Sequence, residues 1–285
     1  MFKGSIVALV TPWKNNSLDM EAFVNLIHWH NVAGTSAIVV GGSTGEGALL
    51  TQAERETLIQ TAVTESTLPI IVGCGAPSTW NVVEQAQQAE RLGAKAVLVV
   101  TPYYCRTTQE GIYQHFKTIH DATTLPILLY NNPGRTVMEI SVETALRLFE
   151  LERIVGIKDS TADTSRAALM RKGARKPVCL LSGDDPYAAG YFAQGGNGLI
   201  SITANIVPEK MAEFVNAWYA KNWEKFHHLN SELMPVHYAM VTEPNPMPVK
   251  TAMEIIGKCS SEVRLPLVRA SKDTLEKLRA CLKSF

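Results

Sequence analysis

The stretch "IVGIKDS", residues 154–160, runs four positions without a polar side chain into a lysine. Ile154, Val155, Gly156 and Ile157 suit a strand covered on both faces, as strands of parallel sheets are. Runs of the same character recur along the chain: "SIVALV" (5–10), "AIVVGG" (37–42), "PIIVGCG" (69–75), "AVLVV" (96–100), "PILLYNN" (126–132), "VCLLSGDD" (178–185) and "GLISITAN" (198–205). With "IVGIKDS" they make eight, each separated from the next by a longer segment of helical character. Eightfold alternation predicts a (β/α)8 TIM barrel, and 285 residues is close to the roughly 250 such barrels need. No G-x-G-x-x-G follows the first run, which removes the usual support for a dinucleotide-binding sheet.

The intervening segments carry helix punctuation. "SLDMEAFVNLIHWHNVAG" has Ser17 as a predicted N-cap and Gly34 as a stop, and "TWNVVEQAQQAERLG" ends at Gly93. Beyond residue 205 the strand signals cease. The expected organisation is a catalytic barrel over 1–224 and a small C-terminal helical domain over 225–285, the latter holding the Pro-rich turn "EPNPMPVK" (243–250).

Composition narrows the function. Lys plus Arg and Asp plus Glu each number 27, so no net field favours nucleic acid or an anionic membrane. The opening "MFKGSIVALVTPW" breaks at Pro12, too early for a spanning helix or a signal h-region, and reads as a first strand. Five scattered cysteines, none in a C-x-x-C pair, suit reduced thiols in the cytoplasm. The seven histidines show no H-x-x-x-H spacing, so no metal is expected, and nothing in the pattern asks for a cofactor.

In a barrel, residues at the carboxyl ends of the strands share one mouth, where the chemistry sits. Lys158 stands at such an end. A lysine of ordinary pKa, about 10.4, is neutral at pH 7 in roughly one molecule of a few thousand, and apolar surroundings favour the neutral, nucleophilic amine. Such a lysine is primed for a Schiff base; a structural ion pair with Asp159 or another acid at a strand end is the alternative. Tyr130 ends the adjacent run, within reach of a lysine one strand away, and could carry protons. "GGSTGEG" (41–47) is a tight turn whose N–H groups could gather around a carboxylate, without the lysine of a P-loop. Arg135, after "NNPG", offers a planar fork for a second carboxylate.

Taken together and in order, "GSTGEG", "TPYY", "YNNPGRT", "GIKDS", "SGDD" and "EPNPMPVK" resemble the 4-hydroxy-tetrahydrodipicolinate synthase family of the pyruvate-aldolase barrel superfamily, along essentially the whole chain. The resemblance implies condensation of pyruvate with L-aspartate 4-semialdehyde. Lys158 would form the imine, and Tyr130, Thr44 and Tyr104 would form a proton relay, Tyr104 coming from a neighbouring subunit. Ser43 and Thr44 would hold the pyruvate carboxylate, Gly183 and Ile200 would line the site, and Arg135 would take the second substrate's carboxylate. It also implies a homo-oligomer, a tetramer built from tight dimers. The sister sialic-acid lyases share "GSTGE" but lack the arginine after the "YN-P" turn, so Arg135 favours the synthase.

The resemblance carries one departure. Members inhibited by lysine use a glutamate, an asparagine and histidines where this chain has Asn81, Pro77, Gln52 and Arg55; Tyr103 alone matches. Losing the carboxylate for the ligand's amine removes roughly 1.5–3 kcal/mol, about tenfold or more in affinity. Weak or absent inhibition by lysine is expected.

Overall fold

The computed structural model describes residues 2–283. Its eight barrel strands are β1 (Gly4–Ala8), β2 (Ala37–Val40), β3 (Ile70–Cys74), β4 (Ala96–Val100), β5 (Ile127–Asn131), β6 (Ile154–Asp159), β7 (Cys179–Ser182) and β8 (Gly198–Ser201). Each is parallel to its neighbours and β8 returns to β1, closing the (β/α)8 barrel expected from the eight runs. Closure leaves no unpaired strand edge. Helices Met20–Val32, Gln52–Glu65, Thr79–Arg91, Gln109–Ala122, Val142–Phe149, Ser165–Gly173, Ala188–Ala193 and Pro208–Tyr219 follow the strands in turn.

Two apolar layers account for the absence of alternation in the strand sequences. Inside the barrel, residues such as Ile6, Ala37, Ile71, Leu128, Leu181 and Ile200 pack on one another. Outside, Val7, Ile38, Val72, Leu129, Ile157 and Leu180 meet the helices. The ladder between β5 and β6 shifts register: Ile127 pairs with Ile154 but Leu128 pairs with Gly156, leaving Val155 without a partner. Glycine is required at that shift, because a Cβ on Gly156 would stand 2.1 Å from the Cys179 carbonyl oxygen.

One expected cap is corrected. Ser17 does not start the first helix; it pairs with Lys14 in a two-residue ribbon, turned by Asn15 and Asn16 with φ of 53° and 60°. Asp19 caps the helix instead, its carboxylate accepting from the Ala22 N–H. Gly34 and Gly93 follow their helices with φ of 81° and 88°, as stops of this kind do.

After Pro208–Tyr219 the chain continues through helices Trp223–Ala239, Met247–Ile255 and Lys272–Leu282. Phe214 stacks on Phe226 with ring centroids 4.8 Å apart, which ties the first of these to the barrel's last helix. The segment between the later two returns to the barrel mouth, where Arg264 makes a two-pronged pair with Glu54 and covers the Trp13 ring at 3.7 Å. Lys250, fully buried, donates to the Thr11 carbonyl oxygen at 2.6 Å. No described helix is long and apolar enough to cross a membrane.

Candidate active site

Register puts the lysine and the tyrosine together. Tyr130 and Lys158 are paired positions of β5 and β6, and Lys158 Nζ lies 4.3 Å from the centre of the Tyr130 ring. Lys158 is 5% exposed. Asp159, one candidate for an ion pair with it, binds Arg166 at 2.8 Å on the outer side of the strand instead. That pair extends into a brace: Arg166 also donates to Glu139 and to the Ile140 carbonyl, and Asn131 receives the Ile140 N–H. The brace ties the strand that carries Lys158 to the segment at Glu139–Ile140, just after the short helix Pro133–Thr136 that carries Arg135.

The surroundings of Tyr130 act on its protonation. Burial pushes the Tyr130 phenol up, but the Lys158 charge, a hydrogen bond from Asn132 Nδ2 at 2.7 Å and the Arg135 charge outweigh it and hold the phenol below its ordinary value. Burial raises the Asp184 carboxyl to about 6, against the pull of Lys158 and with the help of Asp185. Gly183 leaves the lysine its room. A Cβ there would meet Ser160 Oγ at 1.9 Å and Lys158 Cε at 3.0 Å. Ile200, fully buried, belongs to the apolar layer inside the barrel beside Tyr130.

A cavity of about 280 Å³ opens at the carboxyl ends of the strands, lined by Ser43, Tyr130 and Arg135 among others. The turn that carries Ser43 and Thr44 is held by Gly47 N–H donating to the Gly42 carbonyl at 3.0 Å and Glu46 N–H to the Ser43 carbonyl at 3.2 Å. Among the described residues the N–H groups of Ser43 and Thr44 donate to no backbone carbonyl, so they can meet a carboxylate. Arg135 is exposed and lines the same cavity.

One residue that sequence reasoning left without a role joins these parts. Asn245, from the "EPNPMPVK" turn, donates through Nδ2 to Thr44 Oγ1 at 2.9 Å and accepts from Arg135 at 2.7 Å through its carbonyl. Its side chain gives no periodic signal; the clue was the Pro-flanked turn itself. The three hydroxyls expected to form a relay are not hydrogen-bonded to one another within the chain: Tyr130 accepts from Asn132, Thr44 from Asn245, and Tyr104 is 94% exposed with φ of 69°. Among the described residues no group of three or more His, Cys, Asp or Glu could hold a metal ion.

With this geometry in hand, comparison with known proteins is specific. The model of the dihydrodipicolinate synthetase family matches residues 1–285. The chain is 43% identical over 286 residues to the 4-hydroxy-tetrahydrodipicolinate synthase of Parvibaculum lavamentivorans, covering 100% of this chain and 98% of that protein. Among solved structures it superposes on the dihydrodipicolinate synthase of Thermotoga maritima with a TM-score of 0.97 at 40% identity, covering 100% of this chain and 98% of that one. The Acinetobacter baumannii dihydrodipicolinate synthase complexed with pyruvate gives 0.96 at 40% identity, with 99% and 98% covered.

Proposed function

The chain belongs to the dihydrodipicolinate synthetase family, and we propose that Lys158 is the amine on which its reaction is built. The activity is that of a 4-hydroxy-tetrahydrodipicolinate synthase, a class I aldolase-type lyase in the diaminopimelate route to lysine, joining pyruvate to L-aspartate 4-semialdehyde. The observation that carries the assignment of Lys158 is its burial beside Tyr130 while its neighbouring acid is taken by Arg166.

In the proposed sequence, Lys158 Nζ attacks the pyruvate carbonyl carbon and water leaves, giving an imine. Loss of a C3 proton gives the enamine, whose carbon attacks the aldehyde of the second substrate. Tyr130 moves the protons of imine formation and collapse, its phenol already eased toward ionisation by the nearby cations. Ser43 and Thr44 hold the pyruvate carboxylate on the turn after β2, and Arg135 holds that of the semialdehyde. Gly183 and Ile200 shape the wall. Tyr104 completes the relay from a second copy of the chain, a role suited to a tyrosine so fully exposed on one copy alone. The assembly is a tetramer of two such dimers, working in the cytoplasm with its five cysteines reduced, all of them free thiols here. Helices from residue 225 onward serve as a separate cap that brings Asn245 to the mouth. Inhibition by lysine is weak, for Arg55 presents a cation to the cavity and Asn81 is neutral.

The test is borohydride reduction in the presence of pyruvate, then peptide mapping by mass spectrometry. The adduct is expected on the peptide holding Lys158. An unmodified protein, or an adduct on another lysine, overturns the assignment.

A further inference from the structure

Two adjacent asparagines end β5, and their side chains part. Asn131 accepts the Ile140 N–H at 2.9 Å and donates to Asp159 at 3.4 Å, on the side of the brace. Asn132 reaches the other way and donates through Nδ2 to the Tyr130 phenol oxygen at 2.7 Å. It stands at the N-cap of the short helix Pro133–Thr136, where an asparagine side chain ordinarily accepts an N–H of the first turn. Here no such bond forms. Oδ1 lies on the helix side, 3.6 Å from where a Cβ on Gly134 would stand, and accepts from none of the described residues.

The backbone holds this side chain in place. Pro133 restricts the residue before it to extended conformations, and Asn132 has φ of −141° and ψ of 78°. Its carbonyl accepts the Arg135 and Thr136 N–H groups, both at 3.1 Å, and the Thr136 hydroxyl at 3.0 Å. An amide on so tightly bonded a backbone keeps one direction.

A phenol oxygen can accept as well as donate. With Asn132 donating into it, the O–H of Tyr130 turns elsewhere, and no described residue takes it; Thr44 accepts from Asn245 instead. That leaves the O–H for an atom of the substrate near Lys158 Nζ, which lies 4.3 Å from the ring centre. The same donor strengthens its hold once the proton has gone, because the acceptor is then charged. An acceptor at position 132 would do the reverse, taking the O–H for itself.

We propose that Asn132 is a positioning residue for the reaction: its amide occupies the Tyr130 oxygen as a donor and so aims the phenol O–H at the intermediate on Lys158. The proposal rests on the proton-carrying role of Tyr130 and adds the residue that gives that role its direction.

Asn132→Val removes the donor, and Asn132→Asp keeps the shape while replacing the donor with an acceptor. The chain has eight tyrosines, so the Tyr130 phenol is read as the difference in tyrosinate absorbance between each full-length protein and the same protein carrying Tyr130→Phe. The phenol is expected to titrate about one pH unit higher in Asn132→Val than in wild type, and higher still in Asn132→Asp. Turnover, kcat, is expected to fall about tenfold or more in both, with KM for pyruvate within about twofold of wild type. Added to Tyr130→Phe, Asn132→Val should cost less than about twofold, because the phenol through which it acts is gone. A titration unmoved in both variants, one moved to lower pH in Asn132→Val, a change in KM alone, or an equal loss with and without the phenol would each overturn the proposal. Should Asn132→Val fail to fold, Asn132→Asp carries the titration and the pairing with Tyr130→Phe. Wild-type turnover in Tyr130→Phe would instead remove the proton-carrying role itself. Borohydride trapping with pyruvate on the wild type reports on Lys158 apart from both.

Discussion

Gly183 shows how closely the residues around the amine are fitted. An added methyl would land on Ser160 Oγ and press on Lys158 Cε and the Asp159 carbonyl oxygen, the last of which is backbone and cannot swing away. Gly183→Ala is therefore expected to lose about 1–3 kcal/mol, as overpacked sites do, and to slow borohydride trapping as the lysine is displaced. Thermal denaturation with trapping kinetics checks both, and wild-type trapping would show the amine to be indifferent to its neighbour. Tyr104 makes the opposite case, a residue whose role lies outside its own chain. Tyr104→Phe should lower turnover by about a hundredfold while pyruvate is still trapped on Lys158. Steady-state assay and mass spectrometry on one preparation decide, and unchanged turnover removes the tyrosine from the relay.

At the scale of elements, β6 and the helix behind it are joined by charge as well as by packing. Asp159 and Arg166 are both buried, 2.8 Å apart, and the arginine also spans to Glu139 and Ile140. Arg166→Met leaves Asp159 buried and unpaired, which costs about 3–5 kcal/mol; denaturant unfolding should show it, and a loss under 1 kcal/mol, about what a surface pair is worth, would mean the brace is dispensable. The strands were legible in the sequence because burial on both faces leaves no polar position to obscure them. The same uniformity hid the register shift at Val155, since a run that is apolar throughout does not reveal which face a residue takes. The ribbon at Trp13–Leu18 was hidden differently: "KNNS" reads as a polar stop, although two adjacent asparagines tolerate the positive φ a tight hairpin needs. Lys158, Tyr130 and Arg135 could be picked out because barrel chemistry collects at strand ends, whereas Arg166, through Glu139 and Ile140, and Asn245, through Thr44, act on residues distant in sequence.

For the molecule as a whole, buried histidines govern the response to acid. Burial lowers His30 and His115 to about 4, each ring held through one nitrogen by a threonine hydroxyl, and lowers His237 as well. Between about pH 6.5 and 4 the unfolded chain binds protons that these folded rings refuse, so their stabilisation is complete above pH 6.5 and is lost as pH falls toward 4. Each shift from 6.5 to about 4 corresponds to about 3 kcal/mol. Asp184, raised to about 6, works in the other direction and offsets roughly one ring. A net loss on the order of 3 kcal/mol is expected over this interval. Urea unfolding against pH should give that slope, and His30→Gln with His115→Gln should flatten it; an equal slope in the double variant would place the acid sensitivity elsewhere. Inhibition by lysine also belongs to this scale, because it would act through the assembly. Activity is expected to persist at millimolar lysine, and half-inhibition below that would refute the expectation.

The unpaired Val155 sets the parity of everything after it. Had β6 alternated without interruption from Ile154, which faces the helices, Ile157 would have turned inward and Lys158 outward. The one extra residue reverses this, sending Ile157 to the helices and the amine to the tyrosine. A ladder that kept every residue but paired Val155 with Leu128 would seat Ile157 opposite Tyr130 and turn Lys158 out toward the helices, giving a barrel with its hydrophobic content nearly intact and no amine at its centre.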